Sequence, residues 1–132
     1  MPELTIVLQR QIPGLDPHVD SRVISESEPI LERLARRLNV VPLMEFYSQD
    51  PVKAVELMLG HPVDPGQIEL PERNWFSSQQ GLETVQTLRE HLQKHPASVP
   101  DPMGVLAELT QWREVLTRAS QENVPWHVGV EH

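Results

Sequence analysis

The alternation of apolar and polar positions predicts a strand at each end of the chain. Residues 4–9 form a short, apolar and partly β-branched run, which is typical of a strand. Near the C-terminus, Val124, Trp126, Val128 and Val130 alternate with Pro125, His127, Gly129 and Glu131, which is the period of a half-buried strand. We expect these two strands to lie side by side and to bring the two ends of the chain together.

The segments between the strands have helical spacing. Four helices are predicted, and each begins at a capping residue or a first-turn proline: Ser27 with Pro29, Asp50 with Pro51, Ser77 with Gln80, and Asp101 with Pro102. They are expected to end at Asn39, at Gly60, before Pro96 and at Asn123. The apolar run 40–47 contains Pro42 and is predicted to be an edge strand or an extended entry. Trp112 and Trp126 lie on apolar faces and are expected in the core. The pattern therefore predicts one α+β domain over residues 1–132, with about four helices packed on a small sheet.

Proline content first suggests disorder, because 13 of the 132 residues are Pro. Their positions indicate a folded chain instead, since they fall in first helical turns, after helix ends and in loops rather than inside helices. The region 60–74 collects several of them and is predicted to be a loop of unusual length. Loops of this length are either functional or held by contacts of their own.

Charge and composition narrow the functional classes. The formal net charge is −8 and there is no Cys, so a disulfide framework, a thiolate metal site and a Cys nucleophile are all excluded. An acidic chain is a poor ligand for nucleic acid. No phosphate-binding glycine loop, nucleophile elbow or long apolar span is present, so we expect no cofactor, no nucleic acid and no membrane as partners. A cytoplasmic location is expected, since no secretory signal is recognisable.

A few polar and aromatic residues are candidates for a site. His91 and His95 are spaced to share one helical face, either as a metal pair or as two surface side chains that suit a helix C-terminus. His61 and Asp64 lie in the long loop and could line a binding pocket there. Trp75 borders the same loop, where it either anchors a partner or seals the loop against the core.

The C-terminal half resembles small uncharacterised bacterial α+β proteins. The resemblance rests on Asn74-Trp75-Phe76, on Gly81 through Val85 with Leu88 and Leu92, and on the final helix leading into Val124 through Val128. Some proteins of this kind are immunity proteins that neutralise toxins, and no functional residue can be carried over from them. The negative charge, the small size and the absence of a catalytic motif favour a small, non-enzymatic interaction domain whose partner is another protein or a second copy. An immunity-type inhibitor or regulator is one concrete form of this hypothesis. The alternative is a small-molecule-binding protein or enzyme with a pocket beside the 60–74 loop.

Overall fold

A computed structural model describes residues 3–48, 51–62, 64, 66 and 74–131. Its elements in chain order are β1 (Glu3–Leu8), α1 (Arg22–Glu26), α2 (Glu28–Arg37), α3 (Pro51–Leu59), α4 (Ser78–Lys94), α5 (Pro102–Gln121) and β2 (Trp126–Glu131). Short 3-10 helices span Leu43–Phe46 and Pro96–Ser98. The α+β class and the single domain are as the sequence predicts, and the part of the chain described has one α-helix more than expected.

The two terminal strands pair in antiparallel fashion. Leu4 lies opposite Val130, and Leu8 lies opposite Trp126. On its other edge β2 exchanges backbone hydrogen bonds with Phe76, whose amide lies 2.8 Å from the Trp126 carbonyl. The Ser48 amide also donates to the carbonyl of Val128 on this edge, at 3.2 Å. The strand β2 is therefore central, and the predicted adjacency of the chain ends is confirmed.

The core lies between the sheet and the antiparallel pair α4 and α5. Trp112 and Trp126 are fully buried and meet edge to face, with ring centroids 6.1 Å apart. Burying an indole N–H without an acceptor would be costly, and both find one. Trp112 donates to the Ser21 hydroxyl at 3.0 Å, and Trp126 donates to the Ser77 carbonyl at 3.1 Å. The expectation that both tryptophans belong to the core is confirmed.

Local capping explains where the long helices begin and end. The Ser77 and Asp101 side chains accept from the amides of Gln80 and Gly104, as the sequence predicts. Ser27 precedes α2 but makes no side-chain cap bond. After α2 and α5 the backbone passes through Asn39 and Asn123, which have φ values of 64° and 54°.

Two local predictions were wrong. Helix α1 was not expected, because its five residues carry no local capping signal; the carboxylate of Glu108 on α5 supplies the cap by accepting from the amides of Val23 and Ile24. The run 40–47 is not a strand over most of its length. Leu43–Phe46 forms a 3-10 helix after Pro42, and the strand-like pairing is limited to a bridge from Tyr47 to Val128. No helix among the described residues has both the length and the apolar character needed to cross a bilayer.

Candidate functional site

Three of the five exposed large hydrophobic side chains among the described residues are consecutive and lie at the end of α3. Leu57, Met58 and Leu59, here called the α3 apolar turn, have exposed fractions of 75%, 86% and 52%. The other large hydrophobic side chains that are exposed, Tyr47 and Met103, are separate from this turn in sequence. Single exposed apolar residues are ordinary on protein surfaces, whereas contiguous ones mark interaction sites.

Helix geometry explains why the fold does not bury this turn. Consecutive residues of an α-helix point about 100° apart, so Leu57, Met58 and Leu59 together cover more than half of the helix circumference. The helix then ends at Gly60, whose φ of 76° suits a left-handed stop. A surface that covers one side of α3 cannot bury all three side chains. Only a partner that wraps the end of the helix could do so.

The exposed area carries a useful amount of binding energy. Complete burial of a Leu or Met side chain is worth about 1.5–3 kcal/mol. Scaled by the exposed fractions of Leu57, Met58 and Leu59, the α3 apolar turn offers about 3–6 kcal/mol to a partner that covers it. Association itself costs roughly 4–15 kcal/mol, so this turn would be the anchor of a larger interface rather than a complete one.

Trp75 lies against the strand β2. Its ring is 4.8 Å from that of His127, centroid to centroid, and it is half-buried. His127 is only 4% exposed. The neighbouring Asn74 amide donates to the Ser48 hydroxyl at 3.0 Å, which ties this part of the chain to the segment beside β2. The structure thus gives Trp75 a packing contact with β2, and its predicted role in binding stays a prediction.

His61 and Asp64 have only local bonds among the described residues. Both side chains are exposed. The His61 ring nitrogen Nδ1 lies 3.0 Å from the carbonyl oxygen of Pro62, and Asp64 accepts from the Gly66 amide at 2.9 Å. No described contact joins either residue to Trp75. Residues 63, 65 and 67–73 lie outside the described part of the chain, and so does the predicted pocket beside this loop.

His91, on α4, and His95, directly after its last residue, do lie side by side. Their ring centroids are 4.8 Å apart, and Nε2 of His91 is 3.5 Å from the Ser98 hydroxyl. Burial, followed by the nearby charges of His95 and Arg37, lowers the pKa of His91. Among the residues that the structure describes, no group of three or more His, Cys, Asp or Glu side chains surrounds a common point. The pair would supply two ligands, and a metal would need further ones from elsewhere.

Arg36, near the end of α2, is engaged within the chain. Arg36 donates to Glu32 at 3.0 Å and to Glu45 at 3.1 Å. These hydrogen bonds raise the pKa of the guanidinium above its ordinary value. The arrangement is an exposed ion-pair network, and such pairs contribute little to stability.

Comparisons with protein-family models, curated proteins and solved structures find no match to this chain.

Sequence reasoning missed the exposure of the α3 apolar turn. Val52, Val55 and Met58 are spaced like the buried face of an amphipathic helix, yet Met58 is almost fully exposed. A signal was present in the sequence: three consecutive apolar residues just before Gly60 cannot share one face.

Proposed function

We propose that this chain is a small, non-enzymatic protein-interaction domain whose α3 apolar turn contacts its protein partner. The observation that carries the proposal is the exposure of Leu57, Met58 and Leu59. This exposure is informative because the same sequence builds a buried core elsewhere, from Trp112, Trp126 and a set of Leu, Ile and Val side chains. Exposed apolar clusters of this kind are typical of surfaces that a partner covers.

The charge supports a partner of opposite sign. The chain has a formal net charge of −8. An acidic surface accelerates encounter with a basic protein and gives the complex a dependence on ionic strength. A basic toxin is such a partner, so we propose an immunity-type inhibitor as the concrete form of this function. In that form the charge would guide association and the α3 apolar turn would anchor the complex.

Co-expression with the reading frames that flank its gene tests the proposal. Each neighbour is expressed alone and together with this chain, and growth is measured. The proposal predicts that one neighbour is toxic and that this chain restores growth. Met58→Glu should abolish the rescue, because it places a charge in the proposed anchor. Met103→Glu is the matched control, since Met103 is also an exposed methionine, at 81%, but lies on α5.

The result separates the general proposal from its concrete form. If no neighbour is toxic, the immunity-type inhibitor is wrong. If rescue occurs and Met58→Glu preserves it as fully as Met103→Glu does, the α3 apolar turn is not the contact surface.

A further inference from the structure

The outer edge of β1 leaves hydrogen-bonding groups of the backbone unused. The Gln9 amide donates to the Pro125 carbonyl at 2.9 Å, so the odd-numbered residues of this strand bond to β2. The even-numbered residues therefore face the other edge. Leu4 confirms this phase, because its amide donates away from β2, to the Ser25 hydroxyl at 3.2 Å. Ile6 and Leu8 have no such bond to any described residue on that edge.

A groove runs along this same edge. It has a volume of about 1060 Å³ and is lined by residues 6–8 of β1 together with the segment that follows, residues 9–15 and Pro17. Ile12 is buried and Leu15 is half-buried in this segment, where they pack with Leu8 beside α5. The backbone edge thus opens into a channel with apolar walls rather than onto flat solvent.

The charge of the groove differs from that of the whole molecule. Arg10 is the one ionised side chain among the described residues that line it, and none of those residues is a carboxylate. In a chain of net charge −8, the lining of this groove therefore carries a single positive charge and no negative one. Arg10 donates to the Glu122 carbonyl at 2.9 Å while remaining exposed, so it is held beside the groove and can still face an anion.

We propose that this groove binds an extended peptide segment of a partner protein, which adds to β1 as an antiparallel strand and places a carboxylate beside Arg10. One peptide residue would exchange two backbone hydrogen bonds with Ile6 and another would do so with Leu8. Because antiparallel addition reverses the chain direction, the acidic residue lies N-terminal to the residues that pair with the strand. A second copy fits less well, since it would bring its own β2 against the segment 9–15 that also lines the groove.

This groove shares no residue with the α3 apolar turn, so the proposal for the groove can be tested independently of the proposed function. The probe is a fluorescein-labelled peptide, Glu-Val-Thr-Val-Thr, with a blocked C-terminus. Its binding to the full chain is followed by fluorescence anisotropy. Two variants of the peptide carry N-methyl groups on alternate backbone amides. In the edge-facing variant the methylated amides point towards β1 in the proposed register, and in the solvent-facing variant they point away from it.

The expected result is saturable binding of the unmodified peptide. The edge-facing N-methyl variant should bind at least tenfold more weakly, and the affinity of the solvent-facing variant should stay within about twofold of the unmodified peptide. Arg10→Glu should weaken binding of the acidic peptide about two- to fivefold, as expected for an exposed ion pair. A peptide with Lys in place of Glu should instead bind the Arg10→Glu variant more tightly than the unchanged chain. Circular dichroism verifies that the variant is folded.

Three outcomes would overturn the proposal. The first is the absence of binding at millimolar peptide. The second is an equal loss of affinity for the two N-methyl variants of the peptide, because contacts of side chains rather than of the strand edge would then account for the binding. The third is a dimer in sedimentation equilibrium that excess peptide dissociates, because the edge would then be occupied by a second copy.

Discussion

Gly81 gives the sharpest test of how the core is packed. A glycine inside a helix normally costs stability, and replacing it by Ala gains about 1 kcal/mol. At this position the added Cβ would overlap the indole of Trp126, lying 2.6 Å from Cε2 and 2.7 Å from Nε1. The indole cannot simply move aside, because Phe46 packs on it with ring centroids 4.9 Å apart and Trp112 contacts it at 6.1 Å.

The size of the effect follows from these contacts. Overpacking a filled core costs about 1–3 kcal/mol. Displacing the Trp126 indole also weakens its hydrogen bond to the Ser77 carbonyl, which is worth about 1 kcal/mol. After the gain in helix propensity is subtracted, Gly81→Ala should lower the free energy of unfolding by about 1–3 kcal/mol. Urea denaturation at 25 °C measures this as a lower midpoint with an unchanged slope.

A double-mutant cycle identifies the cause. Trp126→Phe removes the indole atoms that the new methyl group would meet, so Gly81→Ala in this background should be neutral or stabilising. The coupling free energy between the two positions should be about 1–3 kcal/mol. If Gly81→Ala raises the stability of the otherwise unchanged chain, as it would at an ordinary helical position, the close approach of α4 to Trp126 is wrong.

Three further predictions concern residues described above. Glu108→Ala should lower the free energy of unfolding by about 2–4 kcal/mol, because it leaves the buried amides of Val23 and Ile24 without an acceptor. Glu108→Gln should lower it less, since one acceptor oxygen remains. Urea denaturation midpoints measure both effects. Met58→Glu and Met103→Glu should each change the free energy of unfolding by less than about 0.5 kcal/mol, so that a loss of rescue by the first is not a loss of folding. The lowered pKa of His91 means that the unfolded chain binds more protons just below pH 6.5, so stability should fall as the pH drops through that window. An NMR titration of the ring should give His91 a pKa below the ordinary value for histidine. His91→Gln should reduce the dependence of stability on pH in this window. A measured pKa at the ordinary value would contradict the prediction.

Elements with local signals could be predicted from the sequence. The caps at Ser77 and Asp101 lie within three residues of the amides that they bind, so their pattern is visible in a short window. The terminal strands were predictable for the same reason, since alternation is a property of neighbouring residues.

Elements that depend on distant contacts could not be predicted in this way. The cap of α1 comes from Glu108, which is 84 residues away from Ile24. The pairing of Phe76 with Trp126 likewise joins segments that have no common pattern. The site shows the same division. Candidate residues such as Trp75 could be named from their type, but the exposure of the α3 apolar turn depends on what the rest of the fold leaves uncovered.

Site-specific photo-crosslinking in the native cell tests the central claim most directly. A photoreactive amino acid is placed at position 58 of the full chain, and at position 103 in the matched control. We predict one dominant adduct with a defined protein from position 58, which disappears when Leu57→Glu is added, and no such adduct from position 103. Equal labelling from the two positions, or no adduct from position 58, would contradict the claim that the α3 apolar turn binds a protein partner.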